Sequence, residues 1–374
     1  MLKYILLFIR KGKLMKNNHN LLMKMKNLEK FSGAIKRCVA IAMASMLFAT
    51  TGFSLDTHPV KAQEVSSSAD KIEIPEISKD AFKKYKKISG IGANTILGAD
   101  FTYYQQCLEW GKSYKNYMSQ SVDNIFDYVK SQGINTISLK VAVNPTGENA
   151  YLSLENAIKT LKAVKASNTN LKTNLVLLYS DEITYAGTQN LPADWEKAEK
   201  EEQSVTRVES AKTYTRETIA KLKQANVLPD IVTIGNEVNW NFLGITDGEG
   251  WEGWKAMGDI SALLKKEGVK NAVSIAAQPD AASVKYIVQK LGYASVDYDY
   301  IGVNVYPDNN TNSYIKSLKN EVESCAPDKQ LIVSNVEYER VNEANTANVY
   351  TQADSIYNLL EATIDEKNGV HPVK

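Results

Sequence analysis

Short apolar runs alternate with longer amphipathic stretches over most of this chain, which is the pattern of βαβ units. The strand candidates are short, rich in β-branched residues and bounded by turn signals; they occupy residues 96–100, 136–143, 174–180, 231–236, 272–277, 300–305 and 331–336. A helix candidate follows each of them, at residues 121–132, 154–166, 210–225, 258–267, 282–291, 312–324 and 351–364. Strands and helices that alternate in this way predict an α/β fold with a parallel sheet.

The eighth strand of a complete barrel is not visible in this pattern. After the last helix candidate the chain ends in Gly-Val-His-Pro-Val-Lys at residues 369–374. Pro372 is awkward in a central parallel strand because it has no backbone N–H to donate. We therefore expect a TIM-type (β/α)8 barrel whose eighth strand is truncated or missing, so that these residues form a stub or the barrel stays open.

The first 62 residues have the composition of a secretory signal peptide. A basic region that includes Lys36 and Arg37 precedes the apolar run at residues 38–53, and Val60-Lys61-Ala62 is a small-x-small cleavage site. We expect a secreted protein that is cleaved after Ala62, with a flexible lead-in at residues 63–80 and a single barrel domain at 81–374. No later stretch approaches the roughly 18 apolar residues of a membrane span.

The charge balance limits the classes of molecule that the protein is expected to bind. The chain has 44 Lys and Arg and 43 Asp and Glu, and removal of residues 1–62 leaves 33 and 41, a formal net charge of −8. An acidic secreted domain is poorly suited to nucleic acid or to an anionic membrane. A neutral polymer such as a polysaccharide remains compatible with this charge.

The distribution of histidine and cysteine narrows the chemistry. The histidines are His19, His58 and His371, so residues 63–370 contain none, which excludes a Ser-His-Asp apparatus and a histidine zinc site within them. Cys107 and Cys325 follow the leader, and the sequence leaves open whether they form a disulfide or stay as thiols. Carboxylates, amides, tyrosines and tryptophans remain for catalysis, and we expect neither a metal nor a cofactor.

Glu237 is the strongest catalytic candidate. The apolar strand candidate at residues 231–236 ends in Gly235 and Asn236 and then presents Glu237. Barrel enzymes keep their chemistry at the carboxyl ends of the strands, which favours an acid/base role for this carboxyl group. The alternative interpretation is that Glu237 caps the next helix or pairs with a lysine.

Several fragments resemble, in the same order, the arabinogalactan endo-β-1,4-galactanases, a family of retaining glycoside hydrolases built on β/α barrels. The fragments are Gly98-Ala-Asp100, the run at 141–145 that ends in Asn144-Pro145, Ser180-Asp181, Ile234-Gly-Asn-Glu237 and the run at 299–307 that ends in Tyr306-Pro307. The resemblance implies a retaining two-carboxylate hydrolase that acts on galactan or arabinogalactan. In that enzyme Glu237 is the acid/base and Asn236 contacts a sugar 2-hydroxyl.

The chain departs from this family at the expected nucleophile. Ungapped alignment places Asn335 there, and Lys140 and Ala142 stand where the family has Arg and Trp. Glu337 is the tentative nucleophile, but two residues advance about 6.6 Å along a strand, so it needs a β-bulge or a shifted register. The alternatives are that Glu337 is an ordinary loop acid and that the chain is a catalytically inactive glycan-binding relative.

Further residues are predicted to bind the polysaccharide because they follow predicted strands on the face where the loops gather. They are Asp100, Asn144, Trp195, Trp240, Tyr306 and Asn335. The alternative for the aromatic residues is core or loop packing, and for Asp100 and Asn144 it is a turn or a helix cap. We expect the protein to act as a monomer.

Overall fold

The computed structural model describes most of the chain after the lead-in. It covers residues 85–86, 88, 91, 95–116, 120–201, 206–246, 248, 250–276, 281–306, 311–336 and 347–364. These residues belong to one compact unit, Ile74–Lys374. The predicted signal peptide at residues 1–62 and the lead-in at 63–80 lie outside the described residues.

Seven parallel strands form the central sheet in the order in which they occur along the chain. They are β1 (Gly98–Asp100), β2 (Thr136–Val141), β3 (Lys172–Leu177), β4 (Ile231–Ile234), β5 (Lys270–Ala276), β6 (Tyr300–Val305) and β7 (Gln330–Val336). Sequential parallel order with helical crossovers is the topology of a β/α barrel, so the predicted fold class is confirmed. In the described sheet β1 and β7 are the edges, and the predicted stub at 369–374 lies outside the described residues.

Helices connect these strands. Within the described residues they are α1 (Tyr104–Glu109), α2 (Ile125–Ser131), α3 (Leu154–Ala166), α4 (Ala193–Glu201), α5 (Arg207–Gln224), α6 (Glu252–Lys266), α7 (Ala281–Tyr293), α8 (Thr311–Cys325) and α9 (Ala347–Ile364). The side chains of Asn124, Ser153 and Thr206 cap α2, α3 and α5 by accepting from backbone N–H groups of the first turn. None of the described helices is both long and apolar enough to cross a membrane.

Shorter elements lie in the connections between the strands and helices. A 3-10 helix covers Gly147–Leu152 before α3. Two small antiparallel hairpins pair Tyr114–Lys115 with Ser121–Val122 and Asn241–Phe242 with Ile245–Thr246. The second hairpin lies in the loop after β4, so the region that begins with Glu237 is locally structured.

Successive strand residues face opposite sides of the sheet, which separates two layers of packing. Val232 and Ile301 belong to the large core between sheet and helices. Their neighbours Ile231 and Tyr300 belong to a smaller cluster with Ala272, on the other face. The inner face therefore has its own apolar layer, as expected for a barrel interior filled by side chains.

Polar side chains also line the inner face. Asn174 of β3 donates from Nδ2 to Ser138 Oγ of β2 at 3.0 Å, and its Oδ1 accepts from Thr233 Oγ1 of β4 at 2.9 Å. Hydrogen bonds between neighbouring strands satisfy these buried and partly buried polar groups, so placing them on the inner face costs little free energy. The inner face is thus built to accept polar side chains.

The two cysteines do not form a disulfide. Cys107 lies in α1 and Cys325 is the last residue of α8, and both are free and partly buried. The structure thereby chooses between the two alternatives that the sequence left open.

Candidate active site

A sharp backbone turn at the end of β4 presents the predicted catalytic pair. Gly235 has a φ of +71° and Glu237 a φ of +55°, both in the left-handed region, which costs a non-glycine residue about 1–2 kcal/mol. Asn236 and Glu237 are 5% and 4% exposed. Strain of this kind persists only where the surroundings fix the conformation, and it clusters at functional sites.

Three donors from two neighbouring segments hold the Glu237 carboxyl group. Oε2 accepts from the backbone N–H of Ala186 at 2.9 Å. Oε1 accepts from Asn304 Nδ2 at 2.9 Å and from the Tyr306 hydroxyl at 3.2 Å. These partners are a loop N–H, an amide and a phenol, rather than the helix terminus or the lysine of the alternative interpretation. The carboxyl group is therefore fixed in orientation.

Asn304 of β6 connects the whole site. Its Nδ2 also donates to Asn236 Oδ1 at 3.1 Å, while its Oδ1 accepts from Ser334 Oγ at 2.8 Å and Ser274 Oγ at 3.3 Å. Because the Glu237 acceptor needs a donor and the two hydroxyls can donate, the amide has one consistent orientation. One buried side chain thus links β4, β5, β6 and β7.

Asn236 is held as firmly as Glu237. Its Nδ2 donates to the backbone oxygen of Thr184 at 2.6 Å. Its own backbone oxygen accepts from Gln189 Nε2 at 2.8 Å and from Thr184 Oγ1 at 3.1 Å. Each amide atom of the Asn236 side chain therefore has a protein partner that orients it.

The register between β6 and β7 shifts at the level of the site. Val303 pairs with Val333, but Asn304 pairs with Asn335, so Ser334 is an extra residue in β7. This is a β-bulge, a device that re-aims side chains next to active sites. The bulge turns the Ser334 hydroxyl to Asn304 and brings Asn335 level with that amide.

Gly302 makes the bulge possible. A Cβ atom on Gly302 would lie 2.8 Å from both Cβ and Oγ of Ser334, which is closer than real Cβ contacts. The sequence analysis required a bulge or a shifted register for Glu337 to act as nucleophile, and a bulge is present three residues before it. Glu337 itself lies outside the described residues, so its role remains a prediction.

Asp100 and Lys140 form a second charged group on β1 and β2. They make an ion pair, and Asp100 Oδ1 accepts from the Thr102 N–H at 2.8 Å. Burial favours a higher pKa for Asp100, but Lys140 and Thr102 together hold the pKa of this carboxyl group below its ordinary value. Tyr103 interacts electrostatically with this pair and with Tyr185. Ala186, the next residue after Tyr185, supplies the N–H that binds Glu237.

Among the residues that the structure describes, no group of three or more His, Cys, Asp or Glu side chains is arranged to hold a metal ion. The acidic group of β1 is neutralised by a lysine instead.

Asn144 and Trp195 lie in a different environment from Glu237. Asn144 donates to Asp181 and Asp194, from its N–H at 2.9 Å and its Nδ2 at 3.1 Å. Trp195 packs edge-on against Tyr214 with the ring centroids 6.0 Å apart. Both residues line a depression of about 580 Å³ that also includes residues of α3 and α5. Their described contacts are therefore those of loop and helix packing.

Tyr306 and Trp240 differ in what they contact. Tyr306 contacts Glu237 directly, so of the predicted aromatic binders it is the one that the structure brings to the acid/base candidate. Trp240 is 39% exposed and lies against Tyr286 of α7, with the ring centroids 6.1 Å apart. The sequence analysis missed Asn304, although it lies two residues before Tyr306 and so on the same face of β6.

The turn at Gly235 generates a stability prediction. A Cβ atom there would lie 2.3 Å from Val238 Cγ1, whereas at Gly268, with a similar φ of +74°, it would meet nothing within 4 Å. Gly235→Ala should lower the free energy of unfolding by about 1–3 kcal/mol more than Gly268→Ala, because overpacking adds to the shared backbone strain. Urea unfolding of both variants measures the difference. Equal losses would contradict the role assigned to this turn.

The Asp100–Lys140 pair generates a pH prediction. Because the pKa of folded Asp100 lies below its ordinary value, the pair stabilises the fold above about pH 4 and loses this effect as pH falls through the folded pKa. The difference in free energy of unfolding between the wild type and Asp100→Asn should therefore shrink between about pH 6 and pH 2. Denaturant titrations across this range test it. A difference independent of pH would show that the carboxylate charge is not involved.

Comparison with known proteins shows which family this chain belongs to. The family model described as Glycosyl hydrolase family 53 matches residues 96–369. The arabinogalactan endo-β-1,4-galactanase of Cellvibrio japonicus is 29% identical over 232 residues, which are 59% of this chain and 59% of that protein. The chain thus matches about three-fifths of that relative's length. The enzyme of the same name from Thermothelomyces thermophilus is 28% identical over 253 residues, 63% of this chain and 70% of that protein.

Solved structures show the same fold. The family 53 catalytic domain from Ignisphaera aggregans superimposes with a TM-score of 0.64 at 20% identity, covering 76% of this chain and 86% of that one. A fungal β-1,4-galactanase superimposes with a TM-score of 0.61 at 20% identity, covering 72% and 86%. At this identity the likeness shows the barrel architecture alone. Because the family model matches most of the sequence, this chain belongs to glycosyl hydrolase family 53.

Proposed function

We propose that this chain is a secreted endo-β-1,4-galactanase that cleaves galactan and arabinogalactan side chains with retention of configuration. The observation that carries the proposal is the Glu237 carboxyl group, buried at the carboxyl end of β4 and fixed by Ala186, Asn304 and Tyr306. Catalytic carboxylates occupy this face of a β/α barrel. The related proteins from Cellvibrio japonicus and Thermothelomyces thermophilus are named arabinogalactan endo-β-1,4-galactanases, which supports the β-1,4-galactan substrate class.

Glu237 serves as acid/base in this proposal. Its carboxyl group donates a proton to the glycosidic oxygen as that bond breaks, and later accepts a proton from the water that attacks the anomeric carbon. A fixed carboxyl group needs no reorientation before proton transfer. Asn304 and Ala186 supply that fixation, and Asn236, held in the same network, contacts the sugar 2-hydroxyl.

Glu337 is the proposed nucleophile. Retaining hydrolysis needs a second carboxylate about 5–5.5 Å from the first, which attacks the anomeric carbon and forms a covalent glycosyl-enzyme. Glu337 directly follows β7 in the sequence. The bulge at Ser334 uses one additional residue of β7, which lowers the residues after it by one position relative to β6. This shift is in the direction that a nucleophile at residue 337 requires.

Asp100, Tyr306 and Asn335 are proposed to contact the substrate beside these two residues. The Tyr306 hydroxyl donates a hydrogen bond to Oε1 of Glu237. Its ring therefore borders the position of the sugar whose bond is cleaved. Asn335 is level with Asn304 by strand register. Asp100 is ionised and paired with Lys140, which suits it to accept hydrogen bonds from sugar hydroxyls.

A second candidate function is glycan binding without turnover. The observation that favours it is again the register, because Asn335 stands level with the site, and a neutral amide cannot form the glycosyl-enzyme. Lys140, at the position of the family's arginine, is engaged by Asp100. In this alternative Glu237 binds sugar hydroxyls and the cleft holds galactan uncleaved.

Release of reducing ends from pectic galactan tests the proposed hydrolysis. Glu237→Gln keeps the size of the side chain and removes its proton, so it should lower kcat about 10²–10⁴-fold. Glu337→Gln should abolish turnover, because no glycosyl-enzyme can form. Glu148→Gln, an exposed carboxylate on the 3-10 helix, is the matched control and should retain activity.

Asn335→Glu separates the two candidate functions. If Glu337 is the nucleophile, a carboxylate at 335 adds no activity to an enzyme that is already active. If the chain is a binding relative, the wild type binds galactan without cleaving it, and Asn335→Glu gains release of reducing ends. Loss of activity in Glu237→Gln with full activity in Glu337→Gln would contradict the assigned nucleophile.

A further inference from the structure

A group of exposed aromatic side chains continues from the cleft across the outer surface. Among the described residues, the aromatic side chains classed as exposed are Tyr103, Trp110, Trp240, Tyr286 and Tyr293. Trp240, just after Glu237, lies against Tyr286 of α7, and Tyr293 follows on the same helix. We call Trp240, Tyr286 and Tyr293, together with Lys290, the α7 strip.

Two rings of the strip, Trp240 and Tyr286, contact each other, and Lys290 lies over the second. The centroids of Trp240 and Tyr286 are 6.1 Å apart, with an angle of 39° between the planes. Lys290 Nζ lies 5.0 Å from the Tyr286 centroid and 4.9 Å from that of Trp251. Cation–π contacts of this length restrain both partners. Trp240, Tyr286 and Lys290 are therefore restrained before any ligand arrives.

The strip runs from the mouth of the barrel toward its base. The parallel strands β5 and β6 flank α7 in sequence, so α7 runs antiparallel to them and begins at the mouth. Tyr286, Lys290 and Tyr293 are spaced i, i+4 and i+7, which places them on one face of the helix. From Tyr286 to Tyr293 this face extends about 10 Å.

Trp240 joins the strip to the proposed active site. It follows Glu237 by three residues, so the two Cα atoms are at most about 11 Å apart. Sugar rings pack their apolar faces on aromatic rings, with polar neighbours contacting the hydroxyls. A polysaccharide that leaves the cleft on the β4 side would therefore meet Trp240 first and Tyr286 next.

We infer that the α7 strip is an accessory binding surface for a galactan chain that extends out of the Glu237 cleft. The inference rests on the proposed function and adds a second place where the same polymer is held. Protein is a poorer occupant on grounds of area. At 39%, 37% and 74% exposure, rings of about 200 Å² each offer about 300 Å² in all, against about 800 Å² per partner in a stable protein interface.

Electrophoretic retardation in gels that contain β-1,4-galactan tests the inference without requiring turnover. All variants carry Glu237→Gln, so that the polymer stays intact. Combining Trp240→Ala with Tyr286→Ala should raise the dissociation constant for galactan, measured from the retardation, about tenfold. This is the loss typical of truncating dominant contacts. Trp110→Ala, at 46% exposure the matched exposed tryptophan at the end of α1, should migrate as the Glu237→Gln parent does.

Tyr293→Ala keeps the test decisive if the double variant does not fold. Tyr293 is 74% exposed, and its removal should weaken binding of long galactan more than binding of a short galacto-oligosaccharide. Retardation equal to the parent in folded Trp240/Tyr286 and Tyr293 variants would overturn the inference. So would a change of oligomeric state in these variants with galactan binding unchanged. If the wild type binds galactan without hydrolysing it, and the strip variants still weaken that binding, the proposed hydrolysis fails while the strip stands.

Discussion

The side-chain amide of Asn304 is the interaction on which the site depends. It donates to both Asn236 and Glu237 and accepts from Ser274 and Ser334, so four strands converge on one buried group. A buried amide left without these partners would cost about 1–3 kcal/mol per unsatisfied group. With them it resists reorientation. Through this network the sheet holds the Glu237 carboxyl group in a fixed position.

Backbone conformations elsewhere follow from that network. The left-handed backbone at Glu237 is unfavourable alone, yet it directs the carboxyl group to the amide. The bulge in β7 gives up regular pairing at Ser334 and in return supplies the hydroxyl that sets the orientation of Asn304. Gly235 and Gly302 provide the space that these two departures need. At these two places the departure from regular backbone is coupled to the Asn304 network.

The strands were readable from the sequence because their apolar runs are long relative to their turns, and Glu237 because it ends one of them. Other parts carried no local signal. Helix α4 contains no buried residue, so it has no apolar stripe to detect, and α1 is only six residues long. Asn304 acts on a carboxyl group 67 residues earlier, and the bulge that orients it lies inside a continuous strand. Trp195 is predicted from the sequence to bind the polysaccharide, and that prediction is not tested by its ring contact with Tyr214 of α5.

The stereochemistry of hydrolysis tests the central claim most directly. The site is proposed to work by two displacements at the anomeric carbon, first by a protein carboxylate and then by water, which together retain configuration. Proton NMR of a β-linked galacto-oligosaccharide during its cleavage identifies the anomer that is released first. The account predicts the β-anomer, followed by slow mutarotation. Initial release of the α-anomer would contradict it, because in an inverting enzyme one carboxyl group protonates the leaving oxygen while the other activates water, and no nucleophile beside Glu237 takes part.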